Sequence, residues 1–351
     1  MTKTNAGRFF EDFALGETLA HATPRTVTAG DRALYLALTG SRFALASSEP
    51  FARSLGYARA PLDDLLTFHL VFGRTVPDVS LNAVANLGYA SCVFRTPLYE
   101  GDSVTAESRV IGLKENSNRK TGVVYVQSRG RNQDGAPVLE FVRWVMVRKR
   151  DPASPAPDPT VPELPAAVAS GDLAVPAGLD LARYDAALAG ARDLWEDYAP
   201  GERIDHVDGM TIEDAEHQMA TRLYQNTARV HFNLHAEKDG RFGRRIVYGG
   251  HVISLARALS FNGLANAFAI AAINGGAHTA PAFAGDTIYA WSEVLERHEI
   301  AGRDDLGALR LRTVAAKDRP CADFPYRDGT GAMDPAVVLD LDYTVFMPRR
   351  R

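Results

Sequence analysis

Cysteine is nearly absent from the 351 residues, and the two that occur, Cys92 and Cys321, lie in opposite halves with no second thiol at redox or metal-ligand spacing. A disulfide scaffold and a thiolate zinc site are thereby excluded. No apolar run approaches the 18 residues of a membrane span, and the start of the chain reaches Arg8, Glu11 and Asp12 before any signal-peptide core could form. A soluble cytoplasmic protein is the expectation, with no membrane partner. Excess charge of one sign is also missing: 39 Lys and Arg against 43 Asp and Glu leave a net charge of −4, which gives no field to recruit nucleic acid. What remains, 46% hydrophobic and 23% charged residues, is ordinary globular usage with enough apolar surface for sizeable cores.

Proline is concentrated where the rest of the chain is not. Seven of the 19 prolines fall in residues 151–179, where they forbid continuous helix or a central strand and suggest a semi-rigid linker. On either side the sequence repeats itself. Phe10-Glu11-Asp12-Phe13-Ala14-Leu15-Gly16-Glu17 aligns with Trp195-Glu196-Asp197-Tyr198-Ala199-Pro200-Gly201-Glu202 at an offset of 185 residues, Gly16 to Gly201. Farther on, Pro97-Leu98-Tyr99-Glu100-Gly101-Asp102 aligns with Pro281-Ala282-Phe283-Ala284-Gly285-Asp286 at 184, Gly101 to Gly285. The chain reads as one domain written twice, over residues 1–150 and 180–351, joined by the linker.

Within each copy the order of elements follows from local pattern. Thr28 with Asp31, and Thr211 with Asp214, have the spacing of a capping threonine and an acid three positions on, each opening a short helix. A second helix is predicted over residues 251–259, where Val252, Leu255, Ala256 and Leu259 recur at the helical period, with its counterpart over 62–72. Strands follow over 103–110, 122–128 and 139–147, and over 287–295, 309–314 and 337–347. In the last of these Leu339, Leu341 and Tyr343 alternate with Asp340 and Asp342, as in a sheet with one wet face. A helix followed by an antiparallel meander makes an α+β domain in which a sheet wraps a central helix, present twice.

Candidate chemistry gathers in the second copy. Of nine histidines only His21 and His69 precede the linker. At the 185 offset, Asn226 and His231 face Ser41 and Ala46, so the first copy lacks the ionisable group and is expected to keep the shape without the site. The stretch Asn226-Thr227-Ala228-Arg229-Val230-His231, followed by the glycine-bearing Tyr248-Gly249-Gly250-His251 ahead of the amphipathic helix, resembles the Asp-x-Asn-Pro-x-His motif and helix-opening glycine turn of the MaoC-like enoyl-CoA hydratases. The resemblance covers nearly the whole chain and implies a double hot-dog fold. It also implies reversible hydration of a branched, carboxylate-bearing enoyl-CoA, an acyl-CoA partner, and no cofactor beyond the CoA of the substrate. The motif's acid is replaced by Asn226, which can orient water but cannot exchange a proton at neutral pH.

Hydration of an unsaturated thioester needs a base for water, donors for the enolate oxygen and an acid for the α-carbon. His231 suits the base, because an imidazole can return the proton it takes. Asn226 suits the water, and the amides of Gly249 or Gly250 at a helix start suit the oxygen. Tyr248 and His251 flank that turn as pocket candidates, and Asp214 and Glu216 are the carboxylates nearby. A substrate carboxylate calls for a cation, with Arg229 favoured over Arg222, Arg244 and Arg245 because it occupies the motif's proline position. His231 and His235 stand four apart, but no intervening Glu or third ligand accompanies them, so no metal is expected. A straight-chain enoyl-CoA hydratase, a thioesterase and a non-catalytic acyl-CoA binding module remain as alternatives on one fold. Assembly into a homo-oligomer is left open.

Overall fold

The computed structural model describes residues 3–350. In the first half, strand β1 (Thr18–Thr26), helix α1 (Ala29–Thr39) and helix α2 (Asp64–Thr75) precede β2 (Ala83–Phe94), β3 (Ser103–Glu115), β4 (Thr121–Arg131) and β5 (Pro137–Arg148). The second half repeats the order with β6 (Arg203–Thr211), α3 (Asp214–Tyr224), α4 (Gly249–Leu259), β7 (Ala269–Ala277), β8 (Thr287–Ile300), β9 (Arg303–Lys317) and β10 (Val337–Pro348). Helices α1 and α3, and the starts of α2 and α4, are related by the same 185 residues that relate the sequence landmarks. Each expected strand is present and longer than its hydrophobic signal, since pairing carries the ladder past the apolar stretch.

All ten strands form one antiparallel sheet in the order β1-β3-β4-β5-β2-β7-β10-β9-β8-β6, a palindrome about the β2–β7 seam. There Tyr89 pairs with Gly276, Ala90 with Gly275, Cys92 with Ile273 and Val93 with Ala272. This is two hot-dog units fused edge to edge, and the fusion removes two exposed sheet edges. Helices α2 and α4 are buried along nearly their whole length, the pattern of a helix enclosed by a sheet rather than laid on a surface. They meet across the pseudo-dyad, where His69 Nε2 and the Tyr35 hydroxyl both reach Ser254 Oγ, at 2.8 and 3.0 Å.

Local chemistry explains the helix starts. Thr28 caps α1 as expected: its hydroxyl accepts from Asp31 N–H at 3.2 Å while Asp31 accepts from Thr28 N–H at 2.9 Å. The parallel expectation for Thr211 is corrected, because Thr211 closes β6 opposite Thr287 and Glu213 occupies the cap position of α3. Counting 185 from Thr28 lands on Glu213, so the sheet register displaced the local signal. Residues 151–179 are fixed to the body: Thr160 pairs with Leu113, Val168 N–H donates to Asn274 Oδ1 at 3.0 Å, and Leu173 and Leu179 are buried beside Leu55 and Phe346. No helix among the described residues is long and apolar enough to cross a membrane.

Candidate active site

Helix α3 ends at Gln225, whose left-handed φ of 53° turns the chain back toward the body. Asn226 follows, buried, with Oδ1 accepting from Ala228 N–H at 3.2 Å, an Asx turn that starts the single helical turn Arg229–Phe232. His231 lies on this turn with Nδ1 3.0 Å from the Ile246 carbonyl. A carbonyl only accepts, so Nδ1 carries the proton and the Nε2 lone pair is left for the cavity. Burial pushes the His231 pKa down to about 4, partly opposed by the Ile246 carbonyl, and the ring is neutral at pH 7.

The start of α4 stands beside it. Tyr248 caps the helix, its ring 5.6 Å from that of His231, and its N–H donates to His217 Nε2 at 3.0 Å. Burial lowers the His217 pKa to about 3, which keeps that acceptor neutral. The N–H groups of Gly249 and Gly250 have no hydrogen-bond partner among the described residues. Glycine is demanded here by space: a Cβ on Gly249 would lie 2.3 Å from the His278 ring, and one on Gly250 2.4 Å from that of Tyr248.

These elements border a cavity of about 410 Å³ whose wall includes Asn226, Arg229, His231, Tyr248 and Gly249. Five of the six expected site residues are therefore on one wall, and Gly250 lies behind it under the Tyr248 ring. His251 is not on the wall; its Nδ1 faces the Tyr224 hydroxyl at 3.4 Å. Asp214 pairs with Arg245 at 2.6 Å, and neither it nor Glu216 lines the cavity, whose one carboxylate among the lining residues is Glu237. Asn233, with φ −115° and ψ 92°, breaks the chain between the turns carrying His231 and His235, so the two do not share a helix face.

The first half is part of this wall rather than only a frame. Phe72, Asn86, Tyr89 and Arg143 reach the cavity from α2, β2 and β5, brought there by the seam. His278, just beyond β7, completes it, with Nε2 3.5 Å from the Tyr89 hydroxyl and a pKa pushed down to about 4 by burial. None of these five stands in a local motif. The concentration of histidine after the linker was the only sequence signal bearing on His278, and it did not single that residue out.

Comparison with known proteins places this geometry. The family model for mesaconyl-CoA hydratase matches residues 1–330. The chain is 68% identical over 348 residues to the β-methylmalyl-CoA dehydratase of Chloroflexus aurantiacus, covering 99% of each. It is 61% identical over 347 residues to the mesaconyl-CoA hydratase of Cereibacter sphaeroides, covering 99% of this chain and 100% of that one. Its fold matches the crystal structure of a Chloroflexus aurantiacus MaoC-domain protein described as a dehydratase, with a TM-score of 0.98 and 67% identity over 100% of both chains. With a family match across nearly the whole length, two relatives far above the level at which families diverge, and one shared architecture, the chain belongs to the mesaconyl-CoA hydratase family.

Proposed function

We propose that this chain catalyses the reversible hydration of mesaconyl-CoA to β-methylmalyl-CoA, a hydro-lyase reaction. The observation that carries the reading is the neutral His231, its Nδ1 tied to Ile246, facing the same cavity as the unpaired Gly249 N–H at the start of α4. Asn226 Nδ2 is engaged by no side-chain hydrogen bond among the described residues and can hold the water, while its Oδ1 is spent on Ala228.

The water proton passes to His231 Nε2 as the water oxygen bonds to the β-carbon. The displaced π electrons move onto the thioester oxygen, where the Gly249 N–H and the positive end of α4 hold the charge. The imidazolium then returns the same proton to the α-carbon, so one base serves both steps and only water is consumed. Dehydration is the reverse. CoA belongs to the substrate, and this sequence calls on no separate cofactor. Exposed Arg148, Arg229 and Arg241 at the cavity suit the CoA phosphates; Arg229 donates there to Asn82 Oδ1 at 3.1 Å.

The test follows the loss of conjugated enoyl-thioester absorbance with mesaconyl-CoA and, separately, crotonyl-CoA, with a thiol reagent present. Rapid loss with mesaconyl-CoA and no thiol release is expected. Preference for crotonyl-CoA would make the protein a straight-chain hydratase, and stoichiometric thiol release would make it a thioesterase.

A further inference from the structure

Four arginines line the cavity, and they are not alike. Arg148, Arg229 and Arg241 are exposed, whereas Arg143 on β5 is 0% exposed. Its guanidinium is held by hydroxyls alone, Nη2 donating to Thr75 Oγ1 at 2.6 Å and both Nη groups to Ser80 Oγ at 3.4 Å, and it lies 4.2 Å over the Phe72 ring. Nε is buried without a hydrogen-bond partner among the described residues. No carboxylate among the described residues pairs with it; the charged forms that would favour it are those of Tyr89 and Tyr248. Burial lowers its pKa to about 10, which leaves it a cation at neutral pH.

On the paired strand β2, Tyr89 is in register with Arg143, and Asn86 with Val145 two residues farther along β5. Both amide atoms of Asn86 are buried with no hydrogen-bond partner among the described residues, and Asn86 lines the same cavity. Buried polar groups are nearly always satisfied, and a cation with an unbonded N–H lining the same cavity as an unbonded amide suits an anion.

The other half shows what a completed buried arginine looks like. Arg257 on α4, also buried, donates to the Ala267 carbonyl and to Ser260 Oγ and has Asp63 and Asp64 close enough to favour its charge. Its counter-charge is within the chain. Among the described residues Arg143 has no such counter-charge, and it borders the cavity that also holds His231.

We propose that Arg143, positioned by Thr75 and Ser80 and joined by the Asn86 amide, binds the free carboxylate of the substrate's acyl group. The first half thus supplies the selectivity for a dicarboxylic acyl chain, while the second half supplies the chemistry. The proposal rests on the hydration reading above and moves the carboxylate contact from Arg229, at the exposed rim, to a site at the buried end of the same cavity. Exposed arginines meet the phosphates, His231 and Gly249 meet the thioester and double bond, and Arg143 meets the far end of the four-carbon chain. A planar guanidinium suits a carboxylate, and a site built for a polar group rejects an analogue lacking it.

The experiment uses Arg143→Met, which keeps the apolar stem and removes a buried charge that no carboxylate among the described residues balances. The ratio of kcat/KM for mesaconyl-CoA to that for crotonyl-CoA is expected to fall by about 100-fold or more, since losing one partner of a buried charged contact is costly. Arg143→Lys should recover part of it. Binding of the unreactive pair methylsuccinyl-CoA and butyryl-CoA gives a readout without turnover: wild type should prefer the first, and Arg143→Met should lose that preference. Equal losses on both substrates with the binding preference retained would make Arg143 structural and overturn the proposal. So would absence of the preference in wild type, a result obtainable even if Arg143→Met does not fold. If wild type hydrates neither enoyl-CoA yet shows an Arg143-dependent preference for methylsuccinyl-CoA, the hydration reading fails and the carboxylate site stands.

Discussion

Replacing Gly249 by alanine tests the start of α4 most directly. The added Cβ would meet His278 Cε1 at 2.3 Å, Nε2 at 2.5 Å and Nδ1 at 2.6 Å. Ordinary carbon contacts lie at about 3.5–4.0 Å, so ring and helix start must separate by about 1.2 Å. Tyr89 stands edge-on to that ring with centroids 6.0 Å apart, so the ring's way out is into the cavity it lines. Displacement of about 1 Å in a positioned group costs roughly 100-fold in rate, and that is the expected fall in kcat for mesaconyl-CoA. Overpacking of this kind costs about 1–3 kcal/mol, offset by up to about 1 kcal/mol from alanine's helix preference, so the protein should stay folded with a slightly lower Tm. The assay is enoyl-thioester absorbance beside a thermal melt. Wild-type turnover in a folded Gly249→Ala protein would refute the role given to the Gly249 N–H and the His278 wall together.

Further outcomes follow from the same geometry. His231→Ala should lose about 10²–10⁴-fold in kcat, the usual contribution of a general base; retention within a few-fold would remove His231 from the chemistry. Because the working form of His231 is neutral and its pKa is about 4, kcat/KM should stay level from pH 7 to about 5 and fall only near pH 4, whereas an acid limb at 6.5 would contradict its burial. If one base serves both proton transfers, Glu237→Gln should change kcat by no more than a few-fold, and a loss as large as that of His231→Ala would mean a two-residue mechanism. Folding stability should fall as pH drops from 6.5 toward 4, read as a shift in the urea midpoint. His206 and His251 are buried with pKa values lowered to about 4, so in that window the unfolded chain takes up protons that the folded chain refuses. Each adds a slope of up to about 1.4 kcal/mol per pH unit. Asp64, raised to about 7 by burial, acts in the opposite sense but is outnumbered, since His217 and His278 are lowered too. A midpoint unchanged between pH 7 and 5 would count against these burials.

The division between what was legible and what was not has a physical basis. A repeat is visible wherever two copies answer to the same local demands, and the turns around Gly16 and Gly201, the capping of α1 by Thr28 and the apolar period of α4 are such demands. His231, Asn226, Tyr248 and Gly249 were legible for a related reason: they sit on two short contiguous segments, where a motif resemblance and a glycine pair ahead of an amphipathic helix can be read along the chain. Thr211 shows the limit, because a capping pattern two residues out of place is indistinguishable in sequence from one in place, and only the β6–β8 register sets it.

Sequence by itself determined that this is a duplicated α+β chain with its histidine-bearing segment in the second copy. Tertiary structure alone decided that the cavity belongs to both copies. The β2–β7 seam pairs residues nearly two hundred positions apart through backbone hydrogen bonds, which every residue can make and which leave no signature in side-chain order. Through that pairing Arg143 and Asn86, unremarkable within strands of the first half, come to line one cavity with His231.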